Sequence, residues 1–203
     1  MKKITKYIPT IILTLLCSCS DYLDIVPDNV TTLDIVFNNR NTAERYLANC
    51  YHFVPDHGSV KRIPGMGAGH ECWFYTTNDS HFDNEVSFYI ARGLQNIDAP
   101  YANYWDGEGG SNLPMFRAIR ECNIFLDYVR DQHKVNDLTD SERKRWIAEV
   151  NVLKAYYHFF LFEHYGPIPI VDKALPVSTD PEGVKVTRMP VDQIVDYMVK
   201  LID

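Results

Sequence analysis

From Glu71 to Asp79 the sequence reads ECWFYTTND, setting aromatic rings, an amide and carboxylates side by side. That mixture suits sugar recognition. The C–H faces of a sugar pack on aromatic rings, its hydroxyls need amide and carboxylate partners, and a concave site requires only a few such polar groups. Trp73, Tyr75 and Asn78 are the expected contacts, with Asp79 as a hydroxyl acceptor. Seven further rings, Phe74, Phe82, Phe88, Tyr89, Tyr101, Tyr104 and Trp105, fall in or near the same stretch. The competing reading is that such rings pack the segment onto neighbouring helices. For Trp105, directly before a helix, packing is the expectation.

Catalytic chemistries find no matching pattern. A glycoside hydrolase needs two opposed carboxylates across the scissile bond, and no spacing among Glu71, Asp79, Asp83, Glu85, Asp98, Asp106 and Glu108 singles out a pair. His70-Glu71 is not H-E-x-x-H, because position 74 is Phe. Gly65, Gly67 and Gly69 do not form G-x-G-x-x-G, and no G-x-S-x-G elbow occurs. No enzyme activity and no cofactor are expected. Cys72 lacks a partner at metal-site spacing, while Cys50 and Cys122 lie on apolar helix faces and read as small buried hydrophobes. No disulfide framework is expected from three cysteines, although an oxidising compartment leaves room for one pair.

Charge narrows the partners. The chain carries 20 basic and 27 acidic residues, a net of −7. Nucleic acid needs a basic footprint, and the densest cluster, Arg143-Lys144-Arg145, reads as a solvated helix edge. A neutral ligand or a protein partner suits an acidic chain with 13% aromatic residues better.

The elements that must carry these residues are helical. The longest opens on Thr139 and Glu142, spaced as a capping box, and stops at Gly166-Pro167, so it spans roughly 39 Å at 1.5 Å per residue. One of its faces reads Trp146, Val150, Leu153, Tyr157, Phe160, Leu161 and His164; a second reads Val152, Tyr156, Phe159 and Phe162. Burying each large apolar side chain is worth about 1.5–3 kcal/mol, so two apolar faces demand helical neighbours on both sides. A first helix is expected from about Thr42 to Val54, capped by Asn41 with Glu44 three residues on, burying Ala43, Leu47, Cys50 and Val54. A second follows Pro114 and aligns Met115, Ile119, Cys122, Leu126 and Val129, with Asn123 beside that stripe. A last one starts at Pro190 with Val191, Ile194, Val195, Met198, Leu201 and Ile202. Residues 55–111 lack helical periodicity and read as a long aromatic-rich insertion, too aromatic for disorder. The 34-residue tetratricopeptide period is not legible.

At the start of the chain, Lys2, Lys3 and Lys6 precede the short apolar run IILTLL, the order of an export signal too short to span a bilayer. Leu16-Cys17-Ser18-Cys19 resembles a bacterial lipobox, which implies cleavage after Ser18 and lipidation, palmitate included, of Cys19. Residues 1–18 are thus expected to be a lipoprotein signal peptide, 19–40 a lipidated linker and 41–203 the helical domain.

The lipobox with Ser20-Asp21-Tyr22-Leu23-Asp24 and Pro27, the Ile119…Asn123…Leu126 helix, Glu149…Leu153…Ala155-Tyr156-Tyr157…Phe159 running into Tyr165-Gly166-Pro167-Ile168-Pro169, and Thr187-Arg188-Met189-Pro190 together resemble the SusD-like (RagB/SusD) outer-membrane lipoproteins of Bacteroidetes. The resemblance covers the family's N-terminal part. It implies an all-α tetratricopeptide-like helical repeat array with long irregular loop insertions, anchored in the outer membrane by lipid and surface-exposed. It also implies binding of a glycan or other nutrient and a SusC-like TonB-dependent transporter as partner. The family's C-terminal half has no counterpart here, so the chain is expected to be truncated, and GEGGSNLP between Trp105 and Phe116 departs from the pattern. A ligand-free protein-interaction scaffold is the alternative, with a glycoside hydrolase behind it.

Overall fold

The computed structural model describes residues 32–58, 65–69, 86–98, 100–107, 113–175 and 185–203. Residues 1–35 form one unit, of which only 32–35 are described; Val36–Asp203 form the other. The described residues are helical, without a β-sheet: α1 Leu33–Val36, α2 Arg40–Tyr51, α3 Gly65–Ala68, α4 Val86–Ala91, α5 Met115–Arg130, α6 Asp140–Tyr165 and α7 Val191–Ile202. None of these helices is long and apolar enough to cross a membrane. The all-α expectation holds.

Helix α6 is the axis of the fold. Its capping box forms as its sequence dictates: Glu142 N–H donates to the Thr139 hydroxyl, and the Glu142 carboxylate accepts from Thr139 N–H. It ends at Gly166, whose φ of 66° lies in the left-handed region that favours glycine. Trp146, Val150, Leu153, Tyr157, Phe160 and Leu161 are buried as one continuous face. Against it packs α5, burying its whole expected stripe from Met115 to Val129.

Three sequence expectations change. The cap of α2 is Asn39, not Asn41: its backbone is extended and its side chain accepts from Thr42 N–H. Glu44 then serves no capping box, because Arg40 draws it into an ion pair and also reaches Glu142 from α6. The helix stops at Tyr51, so Val54 is exposed and Phe53 takes the buried place. Arg143 is no solvated edge. It is buried, and its guanidinium donates to the carbonyls of Val129, Asp131, Lys134 and Val135, capping the end of α5 and the turn beyond it. Lys144 and Arg145 remain exposed.

The second face of α6 is only partly covered. Helix α7 lies against α6 but inserts only Ile194 and Met198 into the core. Phe159 stays 46% exposed and Val152 50%. The two helices thus frame an apolar trough of about 310 Å³, floored by Val152, Tyr156 and Phe159 and walled by Val195, Val199 and Ile202.

The extended segment after Pro167 is stitched down by polar side chains. Asn123 donates to Val171 O at 3.0 Å, and Arg120 to Leu175 O. Lys154, with its side chain 2% exposed, reaches the carboxylate of Asp172 at 2.7 Å, and Tyr197 of α7 donates to the same oxygen at 2.8 Å. One carboxylate therefore ties α6, the extended segment and α7 together.

Candidate ligand-binding site

The sugar contacts expected from sequence, Trp73, Tyr75, Asn78 and Asp79, lie outside the described residues, as does the lipid acceptor Cys19. So do Phe74, Phe82 and Cys72. The other five rings of that aromatic group are described. Phe88 and Tyr104 are buried, and Tyr89 stacks on Tyr101 with ring centres 4.2 Å apart. Trp105 is half-buried.

Trp105 sits where three local devices converge. The first is the turn that carries it. Trp105 N–H donates to the Asn103 side chain at 3.1 Å, an Asx-type turn. Gly107 follows with φ 83°, and a Cβ there would lie 2.8 Å from the Pro114 ring, so only glycine fits. The second is the Tyr165-Gly166-Pro167 corner at the end of α6. The Tyr165 hydroxyl accepts from Tyr104 N–H at 2.8 Å, and its ring meets Trp105 edge-on at 5.5 Å. Burial raises the Tyr165 pKa against the lowering effect of the Tyr104 and Trp105 backbone donors, so the hydroxyl stays protonated at neutral pH. The third is Arg188, whose Nη1 donates to Pro167 O at 2.8 Å while its guanidinium lies 5.2 Å from the Trp105 ring centre.

The corner and Arg188, read from sequence as a stop signal and a helix opening, are therefore the supports of one indole. Met189 N–H closes the arrangement by donating to Ile168 O. Beside the indole opens a cavity of about 340 Å³, lined by Trp105, Phe116, Pro169, Val171, Leu175, Lys185 and Val186. Phe116 meets Trp105 edge-to-face at 4.6 Å. Trp105 thus packs, as its position before α5 suggested, and also presents surface to an apolar cavity. Sequence spacing could not reveal this, since the lining comes from four separated segments. The usable signal was the Tyr165-Gly166-Pro167 and Arg188 pair, which lacks meaning until the two are seen bonded.

A second, polar cavity of about 310 Å³ opens near Asp172, with Arg130, Asn151, Tyr197 and Lys200 around it. Burial works to raise the Asp172 pKa, but hydrogen bonds from Lys154 and Tyr197 and the charges of Lys154 and Arg130 bring it below the ordinary carboxylate value. Among the described residues no group of three His, Cys, Asp or Glu is placed to hold a metal ion.

Fold and cavity together define an α-helical, repeat-type protein with an aromatic-lined opening. The chain belongs to the SusD-like family: the family model described as starch-binding associating with outer membrane matches residues 21–202. A search of curated proteins finds no match to this chain.

Proposed function

We propose that this protein is a non-catalytic, cell-surface lipoprotein that captures an oligosaccharide or related nutrient and delivers it to a SusC-like TonB-dependent transporter in the outer membrane. The observation that carries this reading is the family match over residues 21–202, whose description joins starch binding to the outer membrane. Anchoring follows from Cys19 as lipid acceptor after cleavage behind Ser18; several acyl chains hold a protein stably where a single chain is marginal. The Trp105 cavity supplies an apolar ring surface of the kind a sugar face packs on, and Trp73, Tyr75, Asn78 and Asp79 are assigned to the same ligand as ring, amide and carboxylate contacts.

Electrophoresis through native gels containing soluble starch or another polysaccharide tests the capture step. The protein is expected to be retarded in at least one polysaccharide gel, with no new reducing ends formed on prolonged incubation. Unretarded migration in every gel would remove the glycan, and reducing-end release would replace binding with hydrolysis. A protein-interaction scaffold is the second reading, supported by the apolar trough between α6 and α7; co-purification of an outer-membrane barrel without any retardation would favour it.

A further inference from the structure

Cys50 is the second-to-last residue of α2, and Cys122 lies in the middle of α5; the two helices pack directly. Both thiols are free here and fully buried in the same core. They are also neighbours: Asn49 and Glu121, each one residue before them, bond across the helix pair at 3.4 Å, and the Tyr46 hydroxyl donates to the same Glu121 oxygen. The nearby Cys122 thiol and burial both keep Cys50 protonated. The backbone at Cys50 is fixed as well, because the buried Tyr157 hydroxyl of α6 donates to its carbonyl oxygen at 2.5 Å. Two cysteines that meet across a helix pair are what a disulfide needs, since the bond tolerates little backbone movement.

We propose that Cys50 and Cys122 are joined by a disulfide in the exported protein, a covalent staple that closes the aromatic-rich insertion between α2 and α5. The proposal rests on the export reading only for its oxidant. Each thiol gives up one proton and one electron, the S–S bond forms, and the two electrons pass to a disulfide-bearing oxidant by thiol–disulfide exchange. Exchange requires a thiolate. A buried thiol held protonated is a poor nucleophile, so the bond forms while the chain folds and is inert afterwards. The staple closes a loop over residues 51–121, the stretch that carries Trp73 and Trp105, and so removes conformational entropy from the unfolded chain.

The test is a non-reducing tryptic map of the full chain, unfolded with reductant, refolded with reduced and oxidised glutathione and then blocked with N-ethylmaleimide. The expected product links the peptide of residues 46–61 to that of residues 121–130 and splits on adding dithiothreitol; the linked form should melt about 5–15 °C above the reduced one. Recovery of both peptides as separate N-ethylmaleimide adducts overturns the proposal. So does a link from either one to the Cys72 peptide, residues 63–92. The Cys122→Ser variant, checked for folding by circular dichroism, must leave Cys50 unlinked. The same map on protein taken from bacterial cells separates the two claims: a link present after glutathione refolding and absent from cells counts against export and leaves the pairing standing.

Discussion

Replacing Arg143 with Ala is the sharpest perturbation of the fold. Its guanidinium donates to four carbonyls, Val129 O at 2.6 Å, Val135 O at 3.0 Å, Lys134 O at 3.1 Å and Asp131 O at 3.2 Å. The bonds to Val129 and Val135 are buried, so water cannot replace the lost donors there without opening the core. An orphaned buried acceptor costs about 1–3 kcal/mol, and two of them give about 2–6 kcal/mol; the partly buried pair adds less because it can be rehydrated. Val135 also holds φ 50°, a conformation a β-branched residue resists, between its N–H bond to Phe37 O and its carbonyl bond to Arg143. Arg143→Ala is therefore expected to cost about 3–4 kcal/mol of a typical stability of 5–15 kcal/mol. Urea unfolding followed by far-UV circular dichroism should show the midpoint falling by about 1.5 M, taking a slope near 2 kcal/mol/M. Arg143→Lys keeps the charge but loses the fork and should fall between. Lys144→Ala, at an exposed position, should stay within about 0.5 kcal/mol. A loss below about 1 kcal/mol for Arg143→Ala, or wild-type stability for Arg143→Lys, would refute the capping role.

Further outcomes follow from other contacts. His158 is buried with Nδ1 bonded to Lys154 O and Nε2 without a partner among the described residues, and burial lowers its pKa to about 4. The unfolded chain then binds the extra proton below about pH 6.5, so stability should fall by about 2–3 kcal/mol between pH 7 and 4.5, and His158→Phe should flatten that slope in urea titrations at the two pH values. Asp172, whose folded pKa is lowered, contributes stability that is present above its unfolded value and lost as pH falls further; Asp172→Asn should cost about 1–2 kcal/mol at pH 7, discounted because its side chain is 64% exposed, with Tm as the readout. Gly107→Ala should cost about 1–3 kcal/mol by thermal unfolding, from positive φ and collision with Pro114. The α6–α7 trough should bind an apolar dye such as ANS, and Phe159→Ser should reduce that fluorescence at near-constant Tm.

What could be read from the sequence was what is local. Thr139 and Glu142, Gly166, Pro114, the stripe of α5 and the first face of α6 announce themselves within one or two turns, and the structure places them as expected, whereas the second face of α6, with Val152 and Phe159, is left partly uncovered. Arg143 was illegible because its partners are backbone carbonyls, which leave no mark on side-chain spacing. Asn41 with Glu44 mimicked a capping box because Asn39 stands two residues earlier and because the competing partner of Arg40, Glu142, lies 102 residues away. The Trp105 cavity was hidden for the same reason: α5, the Tyr165-Gly166-Pro167 corner and Arg188 meet only in three dimensions. Lys154 and Asp172, an ion pair across 18 residues, have no helical spacing to betray them.

Calorimetric titration of the wild-type protein and Trp105→Ala with the oligosaccharide that retards it in gels tests the central claim, that a glycan is held against the indole set by Tyr165 and Arg188. Loss of one stacked aromatic should weaken binding about 10-fold or more, at about 1–3 kcal/mol, with circular dichroism unchanged. Equal affinity for the two proteins would contradict the account.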